Sequence, residues 1–273
     1  MLSFTRLQDG GVEIEIALPS PTVYLDYGVI GRLAGTDNGG HLRELICAKG
    51  TLYLSWVHFM ELFSLGNGPT FQKISGFLGS FGPNFVVINP DSESVVKRER
   101  VWTPGHQNPA LDEGFLHLIA AKWDGQADVS IGVLLEFMAR NNHVFEWMKA
   151  RHTPYKEKIK TVVDVQRKRY RIDRVARKHL DSIKYVYKPP FLTEKISLEL
   201  TRECIRTNET FTPSDSLDFL HAVVSTSYCD YVVLDKKWAR RCRAMDVPEG
   251  ETAITYDGTQ IVELLAALSS ERK

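Results

Sequence analysis

The stretch from Ser214 to Trp238 constrains the fold most strongly. Its first half carries apolar residues at helical spacing, and its second half contains the short apolar run 231–234. Such a run, bounded and rich in β-branched residues, is typical of a buried parallel strand. Asp218 lies near the start of the helix, and Asp235 directly follows the strand. This order predicts an α/β fold with acids gathered at one edge of an open sheet.

Other short apolar runs repeat this pattern. They predict strands at residues 12–18, 22–25, 51–54, 85–88 and 253–256. Helical spacing follows or precedes most of them, so we expect a mostly parallel sheet with helices on both faces. Polar and Pro- or Gly-rich stretches predict connecting loops at residues 35–40 and 91–110.

The central part of the chain has a different character. Helical spacing recurs there in three blocks, about 111–150, 155–187 and 194–206. We therefore expect a single α/β core in two parts, residues 1–103 and 210–273, separated by a large helical insert, residues 104–209. A connection between sheet strands of this length must carry structure of its own.

Charge is balanced overall, with 34 basic and 34 acidic residues, but it is unevenly distributed. Residues 151–190 contain 13 Lys and Arg against four acids, a net charge of +9 that leaves −9 on the rest of the chain. With interleaved tyrosines, this segment predicts a nucleic-acid-binding surface. The alternative is a solvated helix face that pairs with acids of the chain or of a partner. The candidate contacts are Arg167, Lys168, Arg169, Arg171, Arg174 and Lys178.

Several functional classes are excluded or disfavoured by missing motifs. The four cysteines form no CxxC pair, which disfavours a zinc site and suggests free thiols in a reducing compartment. There is no GxSxG signature of a serine hydrolase and no phosphate-cradling glycine loop. No secretory signal and no long apolar run occur, so we expect a cytoplasmic protein without a membrane partner.

Four acids share one predicted context. Asp26 follows strand 22–25, Glu61 lies in the helix after strand 51–54, and Asp218 and Asp235 belong to the stretch described first. In a parallel sheet these positions meet at one edge. Clustered carboxylates repel one another, and a hard cation such as Mg²⁺ or Mn²⁺ relieves that repulsion. A lone Asp after a strand is more often a turn residue or helix cap than a ligand, and a Glu in mid-helix is usually solvent-exposed; Asp215 fits a cap well.

Four segments, in order, resemble the motifs of the PIN domain, a family of metal-dependent nucleases. They are TVYLD with Asp26, LYLSWVHFMEL with Ser55 and Glu61, DFLHA with Asp218 and His221, and YVVLD with Asp235. The resemblance covers about residues 21–100 and 207–268 and does not extend to the helical insert. Two positions depart from the family pattern: Gly28 replaces a frequent Asn, and no Thr precedes Asp235.

The resemblance implies a PIN-like three-layer α/β/α fold and a metal-dependent nuclease, most simply an endoribonuclease. It implies that Asp26, Glu61, Asp218 and Asp235 are catalytic and bind one or two Mg²⁺ or Mn²⁺ ions, and Asp215 could join them. RNA would be the partner, and a homodimer would be reasonable. His221 could orient a carboxylate or be a buried structural histidine. The alternatives are a DNA nuclease and a non-catalytic scaffold that binds RNA or a partner.

Overall fold

The structure, a computed structural model, describes residues 2–9, 11–103, 108–120, 129–185, 191–248 and 250–270. Within these ranges the strands are β1 Leu2–Arg6, β2 Val12–Ile16, β3 Thr22–Leu25, β4 Thr51–Ser55, β5 Phe85–Ile88, β6 Tyr231–Leu234 and β7 Ile254–Asp257. The helices before the predicted insert are α1 Tyr27–Leu33, α2 Asp37–Lys49, α3 Trp56–Ser64, α4 Pro69–Gly79 and α5 Ser92–Glu99. Those that follow are α6 Glu113–Ala120, α7 Ile131–Arg140, α8 Asn142–Ile172, α9 Arg174–Ser182, α10 Thr193–Arg206, α11 Pro213–Tyr228, α12 Lys236–Arg243 and α13 Ile261–Ser270.

The central sheet has five parallel strands in the order β5-β4-β3-β6-β7. Every residue of β3, β4, β5 and β6 is buried, as expected for strands covered on both faces. The predicted α/β class and parallel sheet are therefore confirmed. The predicted strand at 12–18 also exists, but as β2 it pairs with β1 in a separate antiparallel ribbon.

Strand order creates a crevice in the middle of the sheet. From β3 the chain continues outward to β4 and β5, whereas from β6 it continues in the opposite direction to β7. Ligands of open α/β sheets bind where neighbouring strands diverge in this way, outside their carboxyl ends. Here those ends belong to β3 and β6, and they are joined by a hydrogen bond from the Asp26 backbone N–H to the Val233 carbonyl, 2.8 Å.

Helices pack against the sheet and against one another. Helix α2 contacts β4 and α13, whereas α11 contacts β6, α12, α10 and α8. The crossovers β3–α2–β4 and β6–α12–β7 run in opposite directions, so right-handed connections put α2 and α12 on opposite faces. This arrangement is compatible with three layers.

Two predicted loops contain helices. Helix α5 lies in the predicted connection 91–110; Asp91 caps it by accepting a bond from the Glu93 N–H, 3.1 Å, and Val95 is buried. Helix α2 begins at Asp37, inside the predicted loop 35–40, because the Thr36 hydroxyl caps it at the Gly39 N–H, 3.1 Å. Both loop predictions were wrong for the same reason: charged residues and glycines hid α5 and the capped first turn of α2.

The predicted helical block 155–187 is two helices. Asp173 ends α8 and caps α9 by accepting bonds from the Val175 and Ala176 N–H groups, 2.8 and 3.0 Å. Buried Val163 from the predicted insert lies in the same apolar cluster as the sheet strands. In the sequence, Gly125 is expected to interrupt the helical block 111–150, and Pro189-Pro190 to end the block 155–187; both positions lie outside the described residues. The division at residues 104 and 209 stays a prediction.

In the part of the chain that the structure describes, no helix combines the length and apolar character needed to cross a membrane.

Candidate functional site

Asp26 and Asp235 occupy equivalent turns at the sheet crevice. Each follows its strand directly and caps the next helix: Asp26 Oδ2 accepts from the Gly28 N–H, 3.3 Å, and Asp235 Oδ1 accepts from the Trp238 N–H, 2.7 Å. Capping engages one carboxylate oxygen of each residue and leaves the other available. The sequence offers helix capping and metal binding as alternative roles for these acids. The structure shows that one side chain can serve both roles.

Asp218 reaches the same edge from α11. Its Oδ2 accepts a hydrogen bond from the indole Nε1–H of Trp238, 3.1 Å. Because the Trp238 backbone N–H also bonds Asp235, one buried tryptophan holds both carboxylates. No sequence motif marked Trp238, since its role depends on two residues that lie 20 and three positions away.

Glu61 comes from α3, and one of its oxygens lacks a partner. Its Oε2 is buried and accepts no hydrogen bond, and it lies 3.5 Å from His221 Nε2. A buried carboxylate oxygen without a donor is uncommon and calls for an explanation such as an ion or a water. Asp26, Glu61, Asp218 and Asp235 are together called the acidic edge below.

The acidic edge is electrostatically coupled. Burial raises the pKa of Asp218 to about 8, and the charges of Asp26, Asp235 and Glu61 add to that rise. Burial also raises the pKa of Asp26, which feels Glu61 and Asp235 as well. Burial raises the pKa of Glu61 to about 7. Asp26 and Asp218 are therefore each within electrostatic reach of the other three carboxylates.

The side chains of the acidic edge have the oxygen atoms that a hard divalent cation prefers, but their positions do not yet form a coordination site. Among the described residues, no three His, Cys, Asp or Glu side chains are arranged to hold a metal ion. An all-oxygen set, coupled carboxylates and the orphaned Oε2 of Glu61 nevertheless match what Mg²⁺ or Mn²⁺ requires. The carboxylates thus lie near one another without converging on a point, and side-chain rotation would be needed for joint coordination.

Asp215 has a structural role that engages both of its oxygens. Oδ2 accepts from the Thr212 N–H and hydroxyl, 2.7 and 2.9 Å, in a capping box, and Oδ1 pairs with Lys237. Burial acts to raise the pKa of Asp215, but the bonds from Lys237 and Thr212 outweigh it and lower the pKa. The cap of α11 is therefore the role that the structure gives this residue.

A buried hydrogen-bonded group lies beneath the acidic edge. His58 Nδ1 accepts from the Ser55 N–H, 3.0 Å, and Nε2 donates to the Leu25 carbonyl, 2.7 Å, so its tautomer is fixed. His221 Nδ1 bonds the Tyr24 hydroxyl, and His221 Nε2 faces Glu61. Burial lowers the pKa of both histidines, to about 3 for His58 and about 4 for His221, so both are neutral.

Helix α8 of the predicted insert passes over this edge. The Ser216 hydroxyl of α11 donates to the Lys156 carbonyl, 3.0 Å, and fixes α8 beside α11. Although burial raises the pKa of Glu61, the charge of Lys156 opposes that rise. A cation from the basic segment thus lies close to the acidic edge.

The six basic residues predicted to contact nucleic acid divide into three groups. Those that are exposed and without an ion pair among the described residues are Lys168, Arg171, Arg174 and Lys178. Arg169 is exposed and lies 3.8 Å from Asp173. Arg167 is only 6% exposed; its Nε donates to the Cys204 carbonyl, 2.6 Å, and its Nη2 to the Thr207 hydroxyl, 3.1 Å. Arg167 is therefore not part of the exposed basic face.

Comparison with known proteins adds no relative for the site. No protein-family model matches the chain, and neither does any curated protein or solved structure. The function of the site has to be inferred from its own residues.

Proposed function

We propose that the chain is a divalent-metal-dependent nuclease that hydrolyses phosphodiester bonds in RNA. The observation that carries the proposal is the meeting of Asp26 and Asp235 at the sheet crevice, with Glu61 and Asp218 in electrostatic reach. Ligand sites of open α/β sheets lie at such a crevice. The charge of Lys156 acts on Glu61, and a cluster of half-buried carboxylates that repel one another needs further positive charge.

Asp26, Glu61, Asp218 and Asp235 would hold Mg²⁺ or Mn²⁺. When bound, such a cation supplies Lewis-acid activation of the phosphodiester. Trp238 fixes the orientation of Asp218 and Asp235. His221, neutral and hydrogen-bonded to Tyr24, lies 3.5 Å from Glu61 through its Nε2 and takes no part as a base at neutral pH. Exposed cations of α8 and α9 would hold the RNA backbone.

The proposal extends to a PIN-like fold. Each motif of the resemblance lies in the structural context that the family resemblance implies. Asp26 and Asp235 end β3 and β6, Ser55 caps α3, which carries Glu61, and Asp218 lies on α11. These contexts support a PIN-like core carrying the acidic edge, with α8 added from the insert.

The test is cleavage of a labelled single-stranded RNA with Mn²⁺ or Mg²⁺, against the variant Asp26→Asn. Asparagine also caps helices well, so the turn after β3 is retained while the negative charge is lost. We expect Asp26→Asn to lose activity by about 100-fold or more, the usual scale for losing one electrostatic contributor in an active site. The matched control is Asp37→Asn, at an exposed residue in the first turn of α2.

If wild type and Asp26→Asn cleave RNA equally, and EDTA abolishes both activities to the same degree, the activity comes from a contaminant. That result would contradict the nuclease proposal. A DNA strand of the same base sequence is assayed in parallel, because the metal chemistry does not distinguish the sugars.

Non-catalytic binding of nucleic acid is the second candidate function. It is favoured by the absence, among the described residues, of three side chains already arranged to hold a metal. It predicts that wild type binds RNA but does not cleave it with either cation, and that Asp26→Asn binds equally well.

A further inference from the structure

A groove runs between the C-terminal half of α8 and residues 208–211. The residues that line it are Asp164, Arg167, Lys168, Arg171, Ile172, Asn208, Thr210 and Phe211. Three of these are cations and one is an acid. The acid, Asp164, is already paired with Lys160. The lining is therefore net positive, and it is called the basic groove below.

Arg167 is a buried cation in the basic groove without an acidic partner. Its guanidinium donates to a carbonyl and a hydroxyl, those of Cys204 and Thr207, and lies 5.7 Å from the centre of the Phe211 ring. No described carboxylate lies within ion-pair distance of it. Because a guanidinium cannot lose its proton in a protein, its charge must be offset by another group.

A second buried arginine increases the positive charge behind the groove. Arg241 is 2% exposed; its Nη2 donates to Glu209 Oε2, 3.1 Å, while its Nε and Nη1 are buried and have no hydrogen-bond partner. Its guanidinium lies over the Trp238 ring, 4.7 Å from the centre. Glu209 is shared, since Arg240 also pairs with it at 2.5 Å.

The two buried arginines interact electrostatically. Burial lowers the pKa of Arg167, and the charge of Arg241 lowers it further. The charge of Asp164 acts in the opposite direction on Arg167, but Asp164 is paired with Lys160, and Glu209 is shared by Arg240 and Arg241, so a local excess of positive charge remains. Such an arrangement favours a bound anion.

The rim of the groove supplies exposed donors. Lys168 and Arg171 are exposed and form no ion pair with a described residue. Asn208 and Thr210 add neutral polar side chains on the opposite wall. Arginine and lysine donors with amide and hydroxyl groups are the usual ligands of phosphate.

The groove is connected to the acidic edge. Residues 208–211 lead directly to Thr212, the cap of α11, which carries Asp218. Glu209 pairs with α12, which Asp235 caps. Along α8, Lys168 lies 12 residues from Lys156, about 18 Å at the rise of an α-helix.

We propose that the basic groove binds a phosphate group of a polynucleotide strand, through Lys168 and Arg171 at its rim and Arg167 within it. A strand held there would be led along α8 to the acidic edge. The identity of the strand as the nuclease substrate rests on the proposed function, but phosphate binding in the groove requires no metal.

The test measures binding in EDTA by fluorescence anisotropy of a labelled oligouridine of about 12 nucleotides, within the range that single-strand-binding grooves cover. The groove variant is Lys168→Ala with Arg171→Ala. The control variant is Lys73→Ala with Lys97→Ala, which removes the same charge from exposed residues of α4 and α5. All four side chains are exposed, so both variants should fold.

We expect the groove variant to bind at least about tenfold more weakly and the control to stay within about twofold. Loss of two phosphate contacts should also lower the slope of log K against log salt by about 1.4. Equal weakening in both variants would overturn the groove in favour of diffuse electrostatic attraction. Unchanged binding in the groove variant would overturn it outright.

Free phosphate is distinguished by a second arm. Inorganic phosphate and pyrophosphate are titrated into wild type by calorimetry, again in EDTA. Binding of either with no binding of the oligouridine would overturn the polynucleotide assignment, and so would binding of neither ligand nor RNA.

The groove proposal and the nuclease proposal can be refuted independently. Asp26→Asn should bind the oligouridine as wild type does, because the acidic edge makes no contact in the groove. Absent cleavage with the groove effect intact overturns only the nuclease, whereas cleavage without any groove effect overturns only the groove.

Discussion

The acidic edge and the basic groove both hold like charges together, but they relieve the repulsion differently. At the acidic edge, burial and the charges of neighbouring acids raise the pKa of Asp218 to about 8, and burial raises the pKa of Glu61 to about 7, so protons can replace a cation. At the basic groove, Arg167 within it and Arg241 behind it keep their charge. Arg167 is held by a carbonyl and a hydroxyl, and Arg241 by Glu209 and the Trp238 ring. Protons can therefore neutralise the acidic edge when no cation is bound. The groove, in contrast, stays positively charged and favours a bound anion.

This difference suggests a division of labour. Neutralising one carboxylate should affect the chemical step, whereas removing rim cations should affect how firmly the strand is held. The paired charges of Asp215 and Lys237, by contrast, satisfy one another and serve the cap of α11.

The largest expected effect is a fall in kcat at the acidic edge, in contrast to a rise in KM at the basic groove. Asp235→Asn keeps the cap bond to the Trp238 N–H, since the amide oxygen can accept it, but loses the charge. We expect kcat to fall about 1,000-fold with KM little changed, and the Lys168→Ala, Arg171→Ala pair to raise KM about tenfold with kcat within about twofold. Steady-state cleavage of one RNA substrate measures both. Equal changes in kcat for the two variants would contradict the division of roles between the acidic edge and the basic groove.

Next in size is the pH dependence of stability without metal. The pKa of Asp218 is raised in the folded protein, so the folded state binds more protons than the unfolded state, and stability should fall as pH rises from about 4 to 8. Asp218→Asn removes that penalty and can still accept the Trp238 indole bond. In EDTA we expect a gain of about 2 kcal/mol at about pH 8.5, after allowing for solvent screening, and none at about pH 4.5.

Urea unfolding at several pH values measures this gain, with Asp37→Asn as the control at an exposed acid. An Asp218→Asn variant that loses stability with pH as steeply as wild type does would show that the carboxylates are not coupled as described.

The smallest effect tests the group beneath the acidic edge. Tyr24→Phe leaves His221 Nδ1 buried without its donor, which should cost about 1 to 2 kcal/mol of unfolding free energy. Tyr53→Phe is the control: Tyr53 is also buried, but its hydroxyl bonds no described residue, so we expect a change below about 0.5 kcal/mol. Nitrogen-15 NMR should find His221 as the Nε2–H tautomer in wild type. An Nδ1–H tautomer would contradict donation from the Tyr24 hydroxyl to His221 Nδ1.

Local patterns in the sequence determined the strands of the sheet and the acids that follow them. The runs 22–25, 51–54, 85–88 and 231–234 are strands as predicted, because short apolar β-branched runs specify buried strands through their own composition. Asp26 and Asp235 were recognisable for the same reason, since a strand that ends in an acid is a local turn. Helices α5 and α12 escaped prediction because charged residues masked their short apolar faces.

Only the tertiary structure decided which distant residues meet. The order that places β3 beside β6, the indole of Trp238 between Asp218 and Asp235, and the burial of Arg167 against Cys204 all depend on contacts across long stretches of chain. Arg167 and Lys168 are adjacent and look alike in the sequence, yet one is buried and the other exposed. The physical reason is that spacing along a helix sets the face on which a residue lies, whereas the packing of other elements decides what that face meets.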